Sequence, residues 1–414
     1  MVRTGARKWN GRSMTTLPGI TIRSATEDDG PAITTLVETS FGTRYDPAEL
    51  ERIPLLFPPE NSIVAVEDGQ IVGHVQSTTM TVTVPGERTV PACGIAAVGV
   101  APTHRRRGIL RAMYTEQHRR IEAAGLPLTM FTASEGGIYG RFGYGPVTRE
   151  NAVGIDRRFA EFLPSAPDPG GVTLRPPSEL RAAAEAIYDR WRRLTPGAQV
   201  RPAAAWDIVF DDPERFRDGG TTLFGLLHAD GYALYRFHSD DRAQTVEVVE
   251  MRTVTAEAHA ALWRALLGLD LTRRVDAVLT DHDPLPYLLT DPRLVRTTAR
   301  YDGLWLRLMD VPAALTARAY PSDLEVTLEV TDPFRNAGGT FALRVCNGQA
   351  ECEPTDRAPD IELGIDVLGS MYLGAHPARV FAAANRLRSK NSAYVRALDD
   401  AFGAERDAML GWFF

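Results

Sequence analysis

Three arginines and a glycine, Arg105-Arg106-Arg107-Gly108, sit between two segments of opposite periodicity. Before them an apolar run, Ala97-Val98-Gly99-Val100, stops at Pro102 and reads as a strand. After them a helical pattern runs through Ile109, Leu110, Met113, Tyr114, Gln117 and Ile121 at spacings of three and four. A strand, a basic turn of phosphate size and a helix, in that order, make a place for a pyrophosphate. The backbone N–H groups of the turn and the positive end of the helix dipole both face the anion.

The elements around this turn must hold it. A second strand, Leu128–Phe131, follows the helix and ends in Ser134-Glu135-Gly136-Gly137. Upstream, Ile20–Arg23 reads as a first strand and Glu27–Phe41 as a helix. The segments 62–66 and 71–75 flank an Asp68-Gly69 turn and form a hairpin. Met80–Val84 and Ala92–Val100 add strands. This is an α+β layout with a mixed sheet.

At 414 residues the chain predicts two to three domains. Hydrophobic content of 44% and charged content of 24% are those of a soluble globular protein, and no apolar run suggests a membrane span. Residues 1–18 read as a flexible tail without the apolar stretch of a secretory signal, and Met14 is a second candidate start. Three cysteines without a CxxC pattern, and eight scattered histidines, argue against a disulfide framework and against a metal site. A reducing cytoplasm fits. With 53 acidic and 46 basic side chains the net charge is -7, which does not suggest nucleic acid as a partner and is compatible with a cationic substrate.

Five prolines between Phe162 and Pro177 mark a boundary. Beyond it the order repeats: strand 172–175, helix 180–193, a hairpin through Asp230-Gly231, strand 246–250 and helix 256–267. Met251–Thr255, however, has neither glycine nor clustered arginines where the basic turn stood. The second segment reads as a duplicated copy without its phosphate cradle. A third region has strands at 324–330, 341–345 and 361–363, helices from Ile365 and over 377–388, and the aromatic end Trp412-Phe413-Phe414.

Arg105–Gly108 resembles motif A of the GNAT acyltransferases, Arg/Gln-x-x-Gly-x-Gly/Ala, with Leu110 in place of the last small residue. Together with Val98–Arg111, the segment Ser134-Glu135-Gly136-Gly137-Ile138-Tyr139-Gly140-Arg141-Phe142-Gly143-Tyr144-Gly145 resembles the Eis family of actinobacterial N-acetyltransferases. The resemblance covers almost the whole chain. It implies tandem GNAT folds, active over 19–163 and degenerate over 164–309, with a sterol-carrier-protein-like α/β domain over 310–414. It also implies six subunits, acetyl-CoA as co-substrate without a metal, and cationic multi-amine acceptors such as aminoglycosides.

Acetyl transfer from coenzyme A needs a pyrophosphate cradle, a polarised thioester, a deprotonated amine and a proton for the leaving thiolate. On this reading the N–H groups of Arg106, Arg107, Gly108, Ile109, Leu110 and Arg111 hold the pyrophosphate, with arginine side chains adding charge-assisted bonds. Alternatively, the arginines are a solvated helix start. Val98, Gly99 and Val100 lie along the pantetheine arm, and the N–H groups of Val98 and Val100 could polarise the thioester. A plain buried strand would show the same side chains. Ser134 and Glu135 either face the cofactor or cap the next turn. A phenol, with a reference pKa of about 10, suits the thiolate as general acid. Tyr139 and Tyr144 both qualify, and the resemblance puts the role on Tyr139. For the base, Glu27, Asp28, Glu38 and Glu135 do not separate, and the resemblance points to the C-terminal carboxylate of Phe414. Burial beside Trp412 and Phe413 would raise the pKa of that group, or the tail simply plugs an apolar groove. Asp28 and Asp29 either contact the substrate or serve the helix dipole. Two other readings are acetylation of protein lysines, and a lipid-binding scaffold built on the third region with the GNAT fold vestigial.

Overall fold

The computed structural model describes residues 15–239 and 244–414. Of the tail expected over 1–18, residues 1–14 lie outside the described residues. Thr15–Leu17 instead forms a strand, β1, paired with Ile20–Ser24, β2. The chain divides into two compact units. One holds the chain to Val147, Leu304–Ala404 and Trp412–Phe414. The other holds Thr148–Gly303 and Glu405–Gly411.

In the first unit, β1 and β2 are followed by helices α1, Gly30–Phe41, and α2, Pro47–Leu56. Strands β3, Ile63–Glu67, and β4, Gln70–Val84, form the hairpin. Its turn residues Asp68 and Gly69 both have positive φ, 48° and 79°, the geometry that matches strand twist. β5, Arg88–Val100, is one long strand that begins four residues before the Ala92–Val100 expected. Helix α3, Ile109–Ala123, and strand β6, Leu128–Phe131, come next. A short helix α4, Gly136–Tyr139, and strand β7, Gly145–Pro146, complete this stretch.

The sheet order is β1-β2-β3-β4-β5-β6, then the strand Trp305–Leu308, then β7. All pairings are antiparallel except β5 with β6. The core under it gathers Ile109, Met113, Tyr114 and Ile121 from one face of α3 against Ile63, Val75, Cys93, Ile95 and Phe131. Each such side chain contributes roughly 1.5–3 kcal/mol on burial.

The ranges 19–163 and 164–309 do not coincide with sheet membership. Strand Glu150–Asp156, inside the first range, pairs with Thr272–Thr280 and Val295–Tyr301 in the second unit's seven-stranded sheet. Strand Trp305–Leu308, inside the second range, pairs with β6 from Trp305↔Phe131 to Leu308↔Leu128. All four residues of that strand are buried, as are all four of β6. An apolar strand buried on both faces needs a neighbour on each edge, and local periodicity does not say which segment supplies it.

The second unit repeats the strand-and-helix order, with strand Gln244–Thr253 leading into helix Ala256–Leu267. That strand runs on through Met251–Thr253, past the 246–250 expected for it. The Thr255 hydroxyl then accepts a bond from Ala258 N, 3.2 Å, and caps the helix.

Back in the first unit, the third sheet has the order 349–354, 339–346, 324–331, 361–364, 387–389. The helix expected over 377–388 is only Ala378–Ala383. Asn385, at φ 55°, turns the chain, and Leu387–Ser389 pairs with Ile361–Leu363. Among the described residues no helix is long and apolar enough to cross a membrane.

Candidate active site

β5 and β6 run parallel and bonded only from Ala92↔Leu128 to Gly94↔Met130. Beyond Gly94 they part. A bulge in β5 accompanies the parting: Ala97 has φ 46°, and the register with β4 shifts between His74 and Gln76. Ala101 N donates to Val72 O on β4, 2.9 Å. Successive strand amides face opposite edges. The N–H groups of Val98 and Val100 therefore face away from β4, into the opening, and Gly99 pairs with His74.

His74 pins the bulge. Its Nδ1 lies 3.0 Å from Ala97 O, so Nδ1 carries the proton and donates. Burial holds the imidazole neutral, down to about 4. An unfolded histidine titrates near pH 6.5. Between about pH 6.5 and 4 the unfolded state thus binds the extra proton, and stability falls as pH falls. Burial lowers His118 as well, adding to the same slope. Urea unfolding at pH 7 and pH 5 is expected to show this loss in the wild type. His74→Phe leaves the Ala97 carbonyl without its donor, costing about 1–3 kcal/mol at pH 7, but loses less on acidification. An unchanged pH slope in the variant would remove His74 from that account.

Helix α3 starts at Gly108, φ 82°, two residues after Arg106 at φ 63°. No side chain caps it. The first bond from the helix returns from Ala112 N to Gly108 O, 3.0 Å. The N–H groups of Ile109, Leu110 and Arg111 belong to the first turn and have no acceptor within the helix. This is the contrast with helix Ala256–Leu267, whose end is sealed by Thr255.

The arginine side chains divide. Arg105 and Arg106 are exposed. Arg107 is bound to Glu67 at the end of β3, Nη1 to Oε2 2.9 Å, and His104 reaches the same carboxylate at 2.8 Å. Arg107 holds that carboxyl below its usual range. The charge-assisted bond to an anion expected of Arg107 is therefore directed at Glu67, where it fixes the turn. The Arg111 guanidinium lies over the Phe334 ring, 5.3 Å from its centre.

Ser134 and Glu135 lie exposed in the loop after β6, and neither caps α4 by a side-chain bond. Tyr139 ends α4 and is 6% exposed. Its ring centre is 4.3 Å from that of Phe131, 6.2 Å from Tyr114 and 6.5 Å from Trp305. Such pairs add roughly 0.5–1.5 kcal/mol each. Its hydroxyl has no hydrogen-bond partner among the described residues. Burial, with Glu135 adding to it, pushes the phenol up to about 12. Tyr144 is different: its hydroxyl bonds His118 Nε2 at 2.9 Å and lies 3.4 Å from Thr129 Oγ1. It is engaged in the core.

The last residue arrives at the crotch of the two strands. Phe414 is 8% exposed, and Thr132 Oγ1, one residue past β6, donates to Phe414 O, 3.2 Å. A Cβ on Gly94 would lie 3.1 Å from the Phe414 ring, and closer still to the Met80 sulfur, 2.6 Å. Glycine at the last paired position of β5 thus lets both side chains rest on backbone. Trp412 is buried and 5.5 Å from the Phe414 ring, centre to centre, but Phe413, expected to share the burial, is 79% exposed. Of the acidic alternatives, Glu38 is bound by Arg44 and Tyr45 N. Asp29 accepts both Arg23 guanidinium nitrogens and Thr26 N, and Arg23 holds it down at about 2. Asp29 is a structural carboxylate. The roles of Gly94, Thr132 and His74 had no signal in local pattern, because each depends on a partner strand or on the terminus.

A splayed parallel pair, a bulge beside it and an uncapped helix after a basic turn are the marks of a GNAT acetyltransferase. The family model described as "Acetyltransferase (GNAT) domain" matches residues 21–147, a second GNAT model matches 197–308, and one for a sterol carrier protein domain matches 311–411. The chain is 48% identical to N-acetyltransferase Eis of Mycobacterium tuberculosis over 398 residues, covering 93% of this chain and 97% of that protein. It is 34% identical to an uncharacterized N-acetyltransferase of Streptomyces avermitilis, over 91% and 94% of the two chains. The crystal structure of Eis1 from Mycobacterium abscessus superimposes with a TM-score of 0.84 at 31% identity, covering 95% of this chain and all of that one. The chain belongs to the Eis family of N-acetyltransferases.

Proposed function

We propose that this enzyme transfers the acetyl group of acetyl-CoA to amines of cationic, multi-amine small molecules, aminoglycosides being the class the family resemblance implies. GNAT acetyltransferases use acetyl-CoA, and the residues here suit it. The first-turn N–H groups of Ile109, Leu110 and Arg111, with the backbone of Arg106–Gly108 before them, suit a pyrophosphate, and those of Val98 and Val100 suit the thioester arm. The observation that carries the mechanism is the seat of Phe414 where β5 and β6 part.

The reaction is then one displacement. The Phe414 carboxylate takes a proton from the substrate ammonium, directly or through a water. The amine nitrogen attacks the thioester carbon, whose oxygen gains charge opposite the strand amides. The carbon–sulfur bond breaks, Tyr139 gives its proton to the departing thiolate, and the nitrogen, left positive by the attack, loses its extra proton to solvent. The products are an N-acetylated amine and free coenzyme A. Both groups return to their starting state by exchange with solvent.

A thiol-release assay with aminoglycosides, linear polyamines and lysine peptides, followed by mass counting of acetyl groups, tests the acceptor. We expect release with aminoglycosides and more than one acetyl group per molecule. Release with lysine peptides alone would move the acceptor to proteins. Acetyl-CoA binding without release to any amine would overturn the reading.

A further inference from the structure

The segment carrying Tyr139 has little structure of its own. α4 is four residues long, and Gly140–Phe142 adds a single 3-10 turn. So short a stretch is not held by its own hydrogen bonds. Arg307 reaches its backbone from outside: Nη1 donates to Phe142 O, 2.7 Å. Arg307 is fully buried on the strand Trp305–Leu308. A Cβ on Gly143, φ 80°, would fall 1.8 Å from that nitrogen, so the absence of a side chain there admits the guanidinium to the turn.

The other arm of the guanidinium, Nη2, pairs with Asp332, itself 7% exposed, just past the strand Leu324–Thr331. Asp332 Oδ1 also accepts from Arg335 N, 3.3 Å. Between them, Phe334 stands edge-on to Phe142, 5.0 Å, and to His118, 5.2 Å. The loop 332–335 of the sterol-carrier-like region therefore backs both α3 and the tyrosine's turn.

A buried ion pair is a poor device for stability, since apolar residues of like volume hold a core as well or better. A planar fork does what they cannot: it spans a carboxylate and a main-chain carbonyl in one fixed geometry. We propose that Arg307 and Asp332 are positioning residues for the general acid: their pair holds the Phe142 carbonyl, and through the Tyr139–Phe142 turn it sets where the phenol hydroxyl stands. This rests on the reading of Tyr139 as the acid. The sterol-carrier-like region is then part of the transferase machinery.

The test is a double-mutant cycle in the full-length enzyme, with kcat, KM and acetyl-CoA affinity measured for Arg307→Lys, Asp332→Asn, Tyr139→Phe and the combinations. Arg307→Lys keeps the charge and loses the fork. It is expected to lower kcat by about 10²-fold, as a displacement of about 1 Å can, with KM and acetyl-CoA affinity little changed. In the Tyr139→Phe background the same substitution should cost almost nothing, because no phenol is left to misplace. An equal loss in both backgrounds, or unchanged kcat in both Arg307→Lys and Asp332→Asn, overturns the proposal alone. Wild-type turnover by Tyr139→Phe overturns the acid assignment and this inference with it. Thermal unfolding identifies folded variants. If Arg307→Lys does not fold, Asp332→Asn carries the cycle, and if neither folds the pair is structural and the proposal fails.

Discussion

Tyr139→Phe is expected to lower kcat by about 10²–10³-fold, within the range of a lost general acid, while acetyl-CoA affinity stays within about twofold. The substitution keeps the ring against Phe131 and Trp305 and removes only a hydroxyl that bonds to nothing among the described residues. Packing is therefore almost untouched. The hydroxyl titrates at about 12 because it is buried. An acid must start protonated, so Tyr139 stays competent throughout the range in which the protein is handled. The loss on substitution should be the same at pH 7 and pH 10, and the wild type should show no alkaline fall due to this group below about pH 11. Comparing the two proteins in single-turnover thiol release from pH 6 to 10 reads both expectations. A loss that shrinks with rising pH would mean that a group with an ordinary phenol pKa is the donor.

The second large effect is at the other end of the chain. Residues appended after Phe414 are expected to reduce turnover by about 10²-fold or more without changing the unfolding temperature. Two roles compete there, because Phe414 contributes a ring against Gly94 and an oxygen to Thr132. A Phe414 C-terminal carboxamide, made by ligation, separates them: the ring and the hydrogen-bonding oxygen remain, and the base is gone. The carboxamide should be as inactive as the extended chain. A fully active carboxamide would leave Phe414 a plug and return the base to an unassigned group. Glu135, exposed beside Tyr139, would be the next residue to test.

What could be read from sequence follows the range of each interaction. The turn at Arg105–Gly108, the helix after it and the Asp68-Gly69 hairpin are local, and pattern alone finds them. The absent cradle in the second copy was legible as missing glycine. Thr255, the residue that seals that helix, lay between the expected strand and helix, and its cap geometry appears only in the fold. Arg107 was read as a ligand for an anion because nothing in sequence ties it to Glu67, forty positions upstream. Tyr139 and Tyr144 were chemically equal until Tyr144 proved bonded to His118. Phe414 was reached by resemblance, since no periodicity brings the last residue to the crotch of two central strands. Arg307 and Asp332 had no local signature at all.

The strand Trp305–Leu308 lies between β6 and β7 in the first sheet. During synthesis β6 leaves the ribosome long before its neighbour does, and the whole second sheet is made in the interval. An apolar edge with no mate is an aggregation hazard, and a pairing so distant along the chain is slow to form. The transferase sheet therefore cannot be completed until the copy that follows it has been synthesised. Truncation before Trp305 does not yield a smaller enzyme; it leaves β6 open on one side and the turn at Phe142 without its guanidinium.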